Sequence, residues 1–304
     1  MEPTNIDSVR QTRKRIITYL LIAFGLSYTV WALIALERPE GGGLGDLGGL
    51  LQYSPAIGAF VTLLIYQRNV RGLGFRLGRA RYLVLSYFVP LGVLVATYAV
   101  IYLLGLGAFD SGPLLEEAAS VIGISNPILL MLAIIGLGAT AGLLLPAFLG
   151  LGEEIGWRGF LVPELAKVRS FTGVALLSGA IWVAFHYPLV FIFGAERAGT
   201  PIIFQLVVLT IQGIAIGTIL AWIRLMSGSL WTAVIFHAVL NAFGQGLFDP
   251  LTADTGITPY IAGEQGLALA ISWSIVAFLF WRRRSDLPEL KPATPREETA
   301  PQAA

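Results

Sequence analysis

Glu153 and Glu154 are adjacent, and Arg158 follows four residues after Glu154. Residues four apart share one face of a helix, so Glu154 and Arg158 can pair, while Glu153 projects about 100° away. One carboxylate can thus be held by a guanidinium while its neighbour points into another space. A carboxylate left unpaired in an apolar cavity is suited to accept a proton. His186 stands in the segment Trp182-Val183-Ala184-Phe185-His186-Tyr187-Pro188. His237 and Asn241 are again four apart and share a helical face. An Asn amide can donate to a developing oxyanion, and a His can donate or accept. The chain has two histidines, and both are in this set. A base, a proton donor and an oxyanion donor are the equipment for adding water to a carbonyl.

Each feature also has a plainer reading. The charges at 153–158 can lie at the cytoplasmic end of a membrane span and face water, and position alone slightly favours this. His186 can be a hydrogen-bonded packing residue. His237 and Asn241 can serve as interhelical hydrogen-bond glue. What favours chemistry is that all of them fall in or beside apolar segments, where ionisable groups are costly.

The elements that must position these residues are membrane helices. Of the 304 residues, 56% are hydrophobic and 13% charged, with a mean hydropathy of +0.75. Soluble domains carry about 25% charged residues. A net charge of +1 argues against a basic nucleic-acid binder. The absence of cysteine excludes a disulfide scaffold, a Cys-ligated zinc site and a thiol nucleophile. Uncharged stretches lie at 16–36, 47–67, 82–109, 118–152, 170–195, 201–223, 225–248 and 265–281. Each is long enough to hold one membrane helix, the last near the lower limit of about 17 residues.

The basic residues alternate with these stretches. All of the 20 Lys and Arg residues except Arg38 and Arg197 fall in the N-terminal segment, the even-numbered loops or the C-terminal tail. By the positive-inside rule these segments are cytoplasmic. The expectation is therefore an all-α polytopic membrane protein with about eight transmembrane helices and both termini cytoplasmic. Residues 1–15 are read as a cytoplasmic segment and 16–281 as one helical membrane domain. Residues 282–304 are read as a disordered cytoplasmic tail, and 40–49 as a Gly-rich flexible outer loop. The first apolar run is too long for a signal-peptide h-region and is read as an uncleaved span.

The motifs Glu153-Glu154-x-x-x-Arg158, Trp182-x-x-x-His186 and His237-x-x-x-Asn241 resemble those of the CPBP family. These are the CAAX protease and bacteriocin-processing intramembrane endopeptidases, also called Abi or Rce1-like. The resemblance covers residues 120–250. The second motif usually has Phe where this chain has Trp182, which keeps a large aromatic wall. The resemblance implies a polar cavity within the helix bundle, open to the cytoplasm, in a multi-pass plasma-membrane peptidase. It implies Glu153 as general base, with His186 orienting or activating the attacking water. His237 and Asn241 would stabilise the oxyanion, and Glu154 and Arg158 would organise the site. The substrate class it implies is a prenylated CAAX-type or other membrane-associated peptide, with no nucleic-acid partner.

No cofactor is expected. The two histidines and two glutamates could ligate zinc in principle, with Glu153, His186 and His237 as the first candidates. The usual HExxH spacing is absent, which favours a metal-independent glutamate mechanism. Two other classes compete: a non-catalytic immunity or scaffold protein of the same fold, and a proton-coupled transporter. The lack of an internal repeat weighs against the transporter.

Overall fold

A computed structural model of the chain describes residues 5–37, 45–197 and 199–288. Among the described residues, the regular structure is helical apart from one short ladder. Helix α1 is Asn5–Glu37, α2 Gly48–Tyr66 and α3 Ala80–Leu103. Two short helices follow, α4 (Gly112–Ile122) and α5 (Pro127–Gly138). Helix α6 (Leu144–Glu154) runs through a π-helical segment, Ile155–Leu161, into α7 (Val162–Ala166). Then come α8 (Phe171–Arg197), α9 (Ile202–Ser227) and α10 (Trp231–Val239). A second π-helical segment, Leu240–Phe248, extends α10. Helices α11 (Thr258–Ile261) and α12 (Leu267–Arg282) close the chain. Strands β1 (Ala108–Phe109) and β2 (Thr252–Ala253) pair antiparallel.

Six helices among the described residues are long and apolar enough to cross a bilayer, or seven if α4 and α5 count as one bent span. They include α1, α2, α3, α8 and α9, together with α10 and its π extension. Their outward surfaces expose large apolar side chains such as Leu21, Leu64, Phe88 and Leu103, as a lipid-facing surface requires. Polar side chains turn inward, where every buried group needs a partner.

Four sequence expectations change in the structure. The uncharged stretch 118–152 is not one helix. Gly123 ends α4 in the left-handed region at φ 75°, and Asn126 caps α5 by accepting from the amides of Ile128 and Leu129, with Pro127 at its first turn. The two helices meet at 81°. Helix α1 begins at Asn5, so it includes much of the expected N-terminal segment. Helix α12 has 16 residues, which places it below the length of the other spans. Residues 38–44, which overlap the expected Gly-rich loop at 40–49, and 289–304, in the expected tail, lie outside the described residues, and the rest of that loop, 45–49, is helical.

Close backbone approaches hold the elements that carry the motifs. Gly179 of α8 packs on α9, where a Cβ on it would stand 2.7 Å from the Ile214 Cα. Small residues at such crossings are the usual device of membrane helix packing. Gly156, in the first π segment, is tighter still. A Cβ there would stand 2.4 Å from the Pro55 Cβ and 2.6 Å from the Tyr19 hydroxyl. The Gly156→Ala variant is therefore expected to lose about 1–3 kcal/mol by overpacking. Thermal unfolding in detergent checks this, and a wild-type transition would contradict it.

Candidate active site

The two π segments stand at the motif residues. Glu153 and Glu154 end α6 immediately before the first, His237 is in the last turn of α10, and Asn241 lies in the second. π turns inside α-helices are frequent at functional sites because they re-aim side chains and free backbone groups. Here the carbonyl of Arg158 accepts a hydrogen bond from Arg224 Nε at 2.8 Å. Arg224 also donates to the Gly72 carbonyl at 2.9 Å. This arginine, counted as a loop cation in the charge pattern, is buried and ties α9 to the first π segment.

The solvent-facing reading of residues 153–158 is overturned. The helix continues past them to Ala166, and Glu153, Glu154 and Arg158 expose 5%, 0% and 1% of their surface. The expected pairing forms: Arg158 Nη1 donates to Glu154 Oε1 at 2.8 Å. His237 Nδ1 lies 3.0 Å from the same oxygen. A carboxylate oxygen accepts, so Nδ1 carries the proton and Nε2 faces away from Glu154. Gly150 leaves room for this imidazole, since a Cβ there would approach His237 Cγ to 3.2 Å.

Glu153 has a different set of neighbours. Trp182 Nε1 donates to its Oε2 at 2.9 Å. His186 Nε2 stands 3.9 Å from the same oxygen. His186 Nδ1 is 2.9 Å from the Trp182 carbonyl, one turn back. That carbonyl can only accept, so Nδ1 carries a proton, and Nε2 is the ring nitrogen turned toward Glu153. Trp182 is therefore more than the aromatic wall expected from the motif. It orients Glu153 through its N–H and His186 through its carbonyl, and the Arg158 guanidinium lies over its ring at 4.8 Å. The residue type alone offered a sequence signal, because indole has a donor that phenyl lacks.

Helix α8 is held in place around His186 by α1. Pro188 has no N–H for the carbonyl four residues back, Ala184. The Tyr28 hydroxyl donates to that carbonyl at 3.0 Å. Trp31 Nε1 donates to the next one, that of Phe185, at 3.0 Å. Both α1 side chains thus satisfy backbone groups within one turn of the histidine.

Glu153, His186, His237 and Asn241 all line one cavity of about 840 Å³. Its walls include Leu51, Leu94, Phe185, Ile216 and Leu240. Glu154 and Arg158 lie behind this surface and reach the cavity through His237 and Trp182. Among the described residues, no group of three or more His, Asp or Glu side chains is arranged to hold a metal ion. The cavity's exposed lining residues are Gly199, Gln245, Asp254 and Glu264. They lie in the α8–α9 connection and in the 245–265 segment, away from the basic loops.

A match to known proteins covers the same part of the chain. Residues 127–243 match the family model described as Type II CAAX prenyl endopeptidase Rce1-like. This segment is similar to that family. A protein of Methanococcus maripaludis named CAAX prenyl protease 2 is 30% identical over 130 residues. That alignment covers 41% of this chain and 45% of the relative, so the chain spans less than half the length of that protein. Both matches agree with the CPBP resemblance read from the motifs. The aligned family segment includes all six motif residues from Glu153 to Asn241.

Proposed function

We propose that this protein is an intramembrane endopeptidase of the CAAX prenyl protease type. It hydrolyses a peptide bond of a membrane-associated substrate with water activated at Glu153. The observation that carries this reading is the pair formed by Glu153 Oε2 and His186 Nε2, 3.9 Å apart at the surface of a largely apolar cavity. One water oxygen can bridge two acceptors at that separation, donating to both. Glu153 takes the proton as the water attacks the carbonyl carbon. His186 orients the water through its unprotonated nitrogen. As the tetrahedral intermediate forms, negative charge develops on the carbonyl oxygen. Asn241 supplies an amide N–H to it, and His237 supplies Nε2–H when its ring is protonated. The proton held by Glu153 then passes to the leaving amine, and the C–N bond breaks.

Glu154 and Arg158 are positioning residues. Glu154 fixes the His237 tautomer, and Arg158 holds Glu154. Trp182 positions Glu153 in the same way. A hydrogen bond to a charged group is worth about 1.5–3 kcal/mol, so Trp182→Phe is expected to lower kcat/KM roughly 10-fold or more. Steady-state kinetics on a cleaved peptide check this. An unchanged kcat/KM would show that the indole donor does not position the base.

Quenched peptides with and without a prenylated C-terminal cysteine test the proposed function on purified protein in bilayers. Cleavage that persists with a chelator is expected. Cleavage abolished by the chelator and restored by zinc would contradict the glutamate mechanism and move the chemistry to a metal. The ratio of prenylated to unprenylated rates identifies whether the apolar walls hold a lipid chain.

A further inference from the structure

The two ends of the helix bundle are defined by their contacts, and they differ in charge. At one end Arg15 pairs with Glu164 at 3.1 Å and donates to Gln67 at 2.8 Å. Lys167 pairs with the same glutamate, and Trp222 Nε1 donates to the Arg283 carbonyl. The basic segments 68–81, 167–169 and 282–284 gather there with the start of α1. At the other end the Tyr98 hydroxyl donates to Asp249, and the Thr258 hydroxyl donates to the Leu106 carbonyl. The β1–β2 ladder and the contact of Phe204 with Tyr260 belong to this end. Its connections carry Asp110, Asp249, Asp254 and Glu264, and among the described residues their one basic residue is Arg197.

The cavity that reaches Glu153 belongs to the acidic end. All four of its exposed lining residues lie there, and from them the cavity runs inward to mid-helix positions such as Leu94 of α3, Val183 of α8 and Ile216 of α9. None of the basic segments contributes to it. Short loops rich in Lys and Arg stay in the cytoplasm because translocating them is unfavourable. The mouth therefore faces the opposite side, contrary to the cytoplasmic opening implied by the family resemblance.

We infer that substrate enters this cavity from the extracytoplasmic face. The substrate class is then a peptide segment exposed at, or embedded from, the outer side of the membrane. What happens to the peptide inside rests on the hydrolytic reading above, whereas the side of entry does not.

The chain has no cysteine, so a single introduced thiol reports only on its own position. Glu264→Cys marks the mouth and Arg71→Cys the basic end, and both positions are exposed. Asp254→Cys is a second mouth position that guards against a local effect of the first substitution. Each variant is produced in bacterial spheroplasts and treated with a membrane-impermeant maleimide. Both mouth thiols are expected to react in intact spheroplasts about tenfold more than Arg71→Cys, which reacts after permeabilisation. The reverse pattern would place the mouth in the cytoplasm and overturn the inference. Equal reaction at both ends before permeabilisation would show mixed orientation and overturn it as well. Neither contrary result touches the hydrolytic reading, whose peptide assay is independent of sidedness.

Discussion

Arg158→Ala is expected to unfold at a temperature well below the wild type and to accumulate poorly. Glu154 has no exposed surface, and its Oε1 is held by Arg158 Nη1 and His237 Nδ1. Removing the guanidinium leaves a buried carboxylate without its full-charge partner. Breaking a buried ion pair from one side costs about 3–5 kcal/mol, whereas exposed pairs contribute about 1 kcal/mol or less. The loss corresponds to a drop of about 10 °C in a domain of this size class. Arg158→Lys keeps the charge but not the planar fork, so it should recover part of the stability. Thermal unfolding of the three proteins in one detergent checks the order. A wild-type transition for Arg158→Ala would show that the Glu154 carboxylate does not depend on this pair.

Glu153→Gln is expected to keep the fold and lose hydrolysis. The amide oxygen of Gln can still accept from Trp182 Nε1, and the substitution is nearly isosteric. The stability cost should be small, because Glu153 has no full-charge partner as close as the one Arg158 gives Glu154. What is lost is the ability to take a proton from water. A positioned general base contributes about 10²–10⁴ in rate, so kcat should fall by at least about 10². Asn241→Ala should lose about 10²–10³, the usual effect of removing one oxyanion donor. The contrast with Arg158→Ala is diagnostic. One variant is stable and inactive, and the other is unstable.

The motif spacing made the inner surface of the cavity legible. Residues four apart gave the Glu154–Arg158 pair, and the two histidine motifs led to side chains that line one cavity. Apolar runs gave most of the membrane helices. Three things were not legible, for physical reasons. The depth of Glu153 was hidden because charge pattern marks helix ends only when charges face water, and here Glu154 pairs with Arg158 while Glu153 accepts from Trp182. The burial of Arg224 was hidden as well, because its partners are backbone carbonyls, one of them in a π segment that composition does not announce. The side on which the cavity opens depends on how the 245–265 segment packs over α3 and α12, a long-range arrangement with no local signature. The break at Gly123 and Asn126-Pro127 was different. Its glycine cap and Asn-Pro helix start were present in the sequence, but a long uncharged run masked them.

The central claim is that Glu153 activates the water that cleaves the peptide. Wild type and Glu153→Gln, purified in the same detergent and reconstituted in the same bilayers, are compared on one quenched peptide panel after their unfolding transitions have been matched. The account predicts cleavage by wild type and a loss of at least about 10² in the variant. Equal cleavage by both would contradict it.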